Sequence, residues 1–299
     1  MSPLAFWLIL TSVLLHALWH CIGKGNPSYT FFTGLAGISL ISSSCILQGL
    51  PVVYSQIPLE CYAMALGGAV SGLICNIGLV NAYKRSDVSL AYPLARAFPV
   101  IFTAFFTLLF NIGQKPGITA VTGMILITIG SIFMPMKNFS DFKLKNYTGK
   151  SMLYILLAAL GTTGYTIFDG RGVKMLIASQ PQAASWCGSI AYSNMREIIL
   201  FCMMMLMVFF NSGEKQQSFR SFFSKWYFYV AGFSCFAAYA LVLLAMNYVT
   251  NVSYVQAFRQ LSLPVGVVIG VFIMHEKCPK PKLFGVILVL AGLCLAAFK

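Results

Sequence analysis

This 299-residue chain is 59% hydrophobic and only 9% charged, whereas a soluble domain is about one quarter charged, so an ordinary water-soluble fold is excluded. The net charge of +13 does not indicate a nucleic-acid binder, because the Lys and Arg are scattered over short polar joints with no basic stripe or aromatic platform. No polar stretch is long enough for a soluble domain, so the function resides in or beside a bilayer.

A helix rises about 1.5 Å per residue, so about 20 apolar residues cross the hydrocarbon. Ten segments come near that length: Leu4–Gly23, Tyr29–Gln48, Leu59–Tyr83, Val88–Asn111 and Gly117–Met136, then Ser151–Asp169, Ala183–Phe210, Trp226–Val249, Val252–Met274 and Lys282–Phe298. Continuous apolar runs without period-two alternation predict helices, not barrel strands. The first segment has neither a basic leader nor a small-x-small cleavage site, and is read as helix one. The expected organisation is an all-α, polytopic membrane protein with a first unit over 1–136, a basic linker over 137–150 and a second unit over 151–299.

The two units resemble each other. Tyr83 and Pro99 recur as Tyr248 and Pro264 at a constant offset, and the last segment of each unit repeats a glycine pair, Gly123 and Gly130 against Gly285 and Gly292. An odd number of helices per copy would insert the copies in opposite orientations, so an inverted five-plus-five repeat is expected. Gly68-x-x-x-Gly72 and Gly266-x-x-x-Gly270 are candidate close helix contacts. Thirteen Lys and Arg fall on one side, among them Lys84, Arg85, Lys137, Lys150, Lys225 and Lys280, against Lys115, Arg171, Lys174 and Lys299 opposite. The positive-inside rule then puts both termini outside the cytoplasm.

Polar residues inside these segments carry the functional signal, because a charge in a bilayer-spanning helix needs a cavity or a partner. Segment one holds Ser12, His16, Trp19 and His20. His16 and His20 lack the Glu and third ligand of a zinc site and are read as cavity residues or proton carriers. Segment four places Arg96 with Tyr92 and Pro99, and Pro99 frees a carbonyl near Ala95. Segment six offers Thr162, Tyr165, Thr166 and Asp169; Asp169 has a second reading, a helix-end ion pair with Arg171. In segment seven Ser189, Tyr192 and Arg196 share a face, while Glu197 points elsewhere and is expected to need a partner other than Arg196. Segment nine carries Gln256, Arg259 and Gln260 before Pro264. Arg259 stands about 160° from the register of Arg96 on aligned helices. It either converges on the same cavity or snorkels to the interface.

Other chemistry is not indicated. The nine cysteines form no Cys-x-x-Cys pair, which argues against a disulfide framework or zinc. Gly149-Lys150-Ser151 lacks the first glycine and the preceding strand of a phosphate loop. No Gly-x-Ser-x-Gly or HExxH pattern occurs, so an enzyme is not expected.

Three stretches carry a resemblance: His16-Ala17-Leu18-Trp19 with Lys24, Ser89-Leu90-Ala91-Tyr92-Pro93-Leu94-Ala95-Arg96, and Gly164-Tyr165-Thr166-Ile167-Phe168-Asp169-Gly170-Arg171-Gly172. His275-Glu276-Lys277 adds to them in the second unit. Together they resemble the EamA-like ten-helix bacterial transporters of the drug/metabolite transporter superfamily. Asn111 and Gln114 replace the Glu of that pattern in the first unit, and His20 replaces an Asn. The resemblance implies two EamA repeats in the bacterial inner membrane, with alternating access around a central cavity and secondary transport, usually export, of a small metabolite. No cofactor, metal or nucleic acid is expected.

The solute expected from the residues is amino-acid-like or an organic anion. Trp19, Tyr92, Arg96, Tyr165, Tyr192, Arg196, Gln256 and Arg259 are the expected contacts. His16, His20, Asp169 and Glu197 are candidates for coupling to a proton; a counter-solute gradient is the other source of drive. The protein would work in the lipid bilayer as a monomer or homodimer. An intramembrane enzyme and a non-transporting receptor are the alternatives.

Overall fold

The computed structural model describes residues 2–23, 28–85, 88–141, 149–211, 223–272, 275 and 277–297. Among them the chain is helical, with no strand. In chain order the helices are α1 (Pro3–Gly23), α2 (Tyr29–Leu47), α3 (Leu59–Arg85), α4 (Val88–Leu109), α5 (Ile118–Phe133), α6 (Lys150–Ser179), α7 (Ser185–Phe210) and α8 (Trp226–Asn247). The short α9 (Val252–Phe258), a 3-10 turn at Arg259–Leu261, α10 (Ser262–Phe272) and α11 (Lys280–Ala297) follow. Six of these, α2, α3, α6, α7, α8 and α11, are long and apolar enough to cross a membrane; α1, α4 and α5 contain shorter apolar stretches. The architecture is that of a polytopic helical membrane protein.

Two boundaries correct the sequence reading. Segment six does not end at Asp169: α6 runs ten residues further, to Ser179. The charges and glycines of Asp169-Gly170-Arg171-Gly172 look like a helix end. They are instead accommodated in mid-helix, because Asp169 is fully buried against partners while Arg171 is exposed. Segment nine is not one helix. Pro264 has no N–H to give to the carbonyl four residues before it, and its ring crowds that turn. The backbone tightens into the 3-10 turn just there. Asn251 starts α9 by accepting the Ser253 N–H at 2.8 Å, the usual service of an N-cap.

Helices of the first unit pack chiefly on helices of the second. The principal seams are α3 on α6, α5 on α11, α1 on α8 and α2 on α7. Missing side chains make the first two seams close. A Cβ on Gly161 would lie 2.6 Å from Ser71 O, and one on Gly78 would lie 2.7 Å from Tyr154 O. On the α5–α11 seam the glycine pairs cross, with Gly123 against Gly292 and Gly130 against Gly285. The Gly266-x-x-x-Gly270 expectation fails at its first member: nothing lies within 4 Å of a Cβ placed on Gly266, which faces outward.

Side chains tie the loops together beyond these seams. Gln180 clasps Val53, accepting its N–H at 2.8 Å and donating to its carbonyl at 3.0 Å. Asn251 donates to Ile112 O at 3.1 Å and Gln114 O at 3.0 Å. Gly113, at φ +73, lets the chain turn where a side chain would strike Thr250 O.

Candidate functional site

A chamber of about 160 Å³ lies among the helices of both units. Its wall takes Ser12, His16 and Trp19 from α1, Cys75 and Asn76 from α3, and Arg96 from α4. From the second unit come Tyr165 of α6, Arg196 and Glu197 of α7, Cys235 and Tyr239 of α8, and Arg259 of the 3-10 turn. Pockets for drug-sized ligands run to about 300–1,000 Å³, so this one suits a smaller solute.

Arg196 is the most thoroughly engaged of the arginines. Its Nε is 3.0 Å from Asp169 Oδ2 and its Nη1 donates to Glu197 Oε1 at 2.7 Å. The guanidinium also lies over the rings of Tyr239, at 4.8 Å, and Tyr165, at 5.4 Å, a cation–π cage. Asp169 is held in turn by the hydroxyls of Tyr192, at 2.9 Å, and Tyr239. The expectation that Glu197 needs another partner is therefore corrected. Adjacent residues leave a helix about 100° apart, but both side chains are long. Asp169 fixes the guanidinium between helices, and the Glu197 carboxylate bends to meet it. The alternative pairing of Asp169 with Arg171 is likewise absent.

Gly68 and Gly72 explain how α3 admits these charges. The Asp169 carboxylate occupies the space a Cβ on Gly68 would need, and Arg196 Nη2 comes within 2.7 Å of a Cβ placed on Gly72. The Gly-x-x-x-Gly spacing thus builds a socket for an ion pair as well as a helix seam. Gly172 makes the corresponding room for the Tyr192 ring.

The other arginines use their donors differently. Arg96 contacts His16 Nε2 through Nη1 at 2.6 Å, and its Nη2 donates to Arg259 O at 2.8 Å and Ser262 Oγ at 2.9 Å. Gln260 Nε2 donates back to Arg96 O at 2.8 Å. These bonds stitch the broken ninth segment to α4, whose own prolines, Pro93 and Pro99, leave it continuous. Arg259 is buried, lines the chamber and reaches Gln256 Oε1 at 3.5 Å. It therefore converges with Arg96 and does not snorkel.

Of the residues expected from sequence, His16, Trp19, Arg96, Tyr165, Arg196, Glu197 and Arg259 line the chamber. Asp169, Tyr192 and Gln256 stand behind the wall, fully buried. Tyr192 is linked to the chamber wall through Asp169, which pairs with Arg196. The side chains of His20 and Tyr92 lie outside the described residues. Sequence reasoning missed Tyr239, Asn76 and Ser262. Asn76 carried a legible signal, an amide inside an apolar segment. Ser262 carried one too, continuing the three-residue spacing of Gln256 and Arg259, whereas Tyr239 stands in no such stripe.

No protein-family model matches this sequence, and no curated protein does. Among solved structures, a protein of known crystal structure superposes with a TM-score of 0.70 at 12% sequence identity, covering 99% of this chain and 97% of its own. The likeness is one of fold over the whole length.

Proposed function

We propose that this chain is a secondary active transporter, an exporter of the EamA-like kind in the drug/metabolite transporter superfamily. It carries a small amino-acid-like or anionic metabolite across the bacterial inner membrane. Ten crossings form two oppositely inserted five-helix units, 1–136 and 151–299, joined by the basic linker 137–150. The observation that carries this reading is the chamber itself, a largely apolar space into which three arginines and a glutamate project, inside an apolar helical body and walled by helices from both halves of the chain. Intramembrane charge of this kind marks solute or ion pathways.

The packing supports the inverted repeat. The seam of α3 on α6 has its counterpart in α1 on α8 once the units are exchanged, and α5 on α11 is its own counterpart. The glycine pairs cross on that last seam as a two-fold axis requires, the first of one unit meeting the second of the other. Alternating access would rock one unit against the other around the chamber. A proton or counter-solute gradient supplies the drive, with Glu197 and His16 the titratable groups on the wall.

The test is flux. A metabolite library screened by thermal shift on purified protein supplies a ligand, and counterflow in proteoliposomes then measures its movement. Wild-type protein exchanges the ligand, and Arg96→Ala removes exchange while leaving folded protein in the membrane. Binding without any exchange in wild-type vesicles would sink the transporter reading.

A further inference from the structure

The chamber's charges are unevenly spent, and the imbalance points to a solute class. Three arginines, Arg96, Arg196 and Arg259, face it against two carboxylates, Asp169 and Glu197, counting the described residues at and directly behind the wall. Both carboxylates are committed to Arg196. Among the described residues Arg259 has no carboxylate within ion-pair reach, and its hydrogen bond to Gln256 is at the limit of contact, 3.5 Å. With the two acids ionised, the described arginines of the chamber outnumber its described carboxylates by one. One solute anion would balance that excess.

His16 marks where that anion enters. The Trp19 indole N–H donates to His16 Nδ1 at 3.1 Å, while Arg96 Nη1 stands 2.6 Å from His16 Nε2. Indole and guanidinium are donors only, and a neutral imidazole accepts at one nitrogen and donates at the other. One of the two contacts is therefore donor against donor whichever tautomer is present. A carboxylate that takes over Arg96 Nη1 removes the conflict and gains a charge-assisted bond. His16 Nε2 then becomes free to carry the ring proton while Nδ1 keeps the Trp19 bond.

We infer that the chamber selects small monocarboxylates with an apolar body, the carboxylate replacing His16 at Arg96 Nη1 and pairing with Arg259, the body resting on Trp19, Tyr165 and Tyr239. This rests on the transporter reading for its biological meaning but not for its chemistry. Zwitterions are disfavoured because their ammonium finds Glu197 already engaged by Arg196. Amines are disfavoured because the cluster is already positive.

The experiment uses two matched sets on purified full-length protein: 3-phenylpropionate, phenylalanine and phenethylamine, and valerate, norvaline and pentylamine. Within each set only the charge changes on a near-constant body. In at least one set the monocarboxylate should bind about tenfold more tightly than its zwitterion or amine, as charge-assisted hydrogen bonds would give, read by thermal shift and calorimetry. Tighter binding of a zwitterion or amine, or no binding by any member, overturns the assignment. Arg259→Gln should abolish the preference, and Arg259→Lys, which keeps the charge but not the two-pronged donor, should retain part of it. An unchanged preference in both variants also overturns it. Monocarboxylate binding without flux would refute transport and leave the charge assignment standing. Flux confined to zwitterions or amines would do the reverse.

Discussion

The two sides of the chamber hold arginine by opposite means. On the α6–α7–α8 side, Arg196 is enclosed by Asp169, Glu197, Tyr165 and Tyr239, with α3 glycines cut away to admit it. On the side of α4 and the broken ninth segment, Arg96 spends its donors on a backbone carbonyl, a serine and a histidine already claimed by Trp19. Arg259 there has one long amide contact. The first arrangement is closed, one guanidinium set against two carboxylates, and its parts support one another. The second is stitched to backbone, and among the described residues Arg259 has no carboxylate within ion-pair reach. A buried charge that is fully paired serves architecture, whereas on the proposed reading Arg259 keeps its charge for a solute.

The comparison breaks most sharply at Asp169. Asp169→Ala would strand part of the Arg196 charge and leave the Tyr192 and Tyr239 hydroxyls without their acceptor. Stability should fall by about 3 kcal/mol or more, measured as thermal or denaturant unfolding in detergent. A loss close to zero would show that the closed side is not structural. Gly68→Ala tests the same cluster from α3, where a methyl group enters the space of the Asp169 carboxylate. About 1–3 kcal/mol is expected from such overpacking, and unfolding at the wild-type midpoint would contradict the socket.

Arg259→Gln should behave in the other way, costing about 1 kcal/mol or less in stability while removing solute exchange in proteoliposomes. Severe destabilisation with exchange retained in the surviving protein would erase the distinction between the two sides. The smallest effect belongs to Gly266→Ala. This glycine has the same four-residue spacing as Gly68 but open space around it, so its unfolding midpoint should stay within about 0.5 kcal/mol of wild type. A large loss would place an undetected neighbour on that face.

Much of the site was legible because intramembrane charge is costly and conspicuous. Arg96, Arg196, Glu197 and Arg259 stand out against apolar neighbours, and the spacing of Ser12, His16 and Trp19 assigns them to one helix face. Tyr239 was not legible, since a single tyrosine in an apolar helix looks the same whether it meets lipid or a buried carboxylate. The pairing of Arg196 with Glu197 was misjudged because helical spacing fixes where side chains begin, not where long flexible ones end. The role of Gly68 and Gly72 was half seen: the spacing announced a close approach without saying whether backbone or ion pair would fill it.

The sequence by itself determined the solvent, the helical class and the approximate segments, because hydrophobic length and the need to satisfy backbone polar groups inside each helix are local properties. It also marked which helices carry polar groups. Only the tertiary structure decided which charges pair with one another, that segment nine breaks at Arg259–Leu261, and that Arg96 donates to Arg259 O while Gln260 donates to Arg96 O across the break. The bonds across the break join residues more than 160 positions apart, and the Arg196 cluster joins that side chain to Asp169 of another helix as well as to its neighbour Glu197. Long side chains choose among partners by distance and burial, and no periodicity along the chain records that choice.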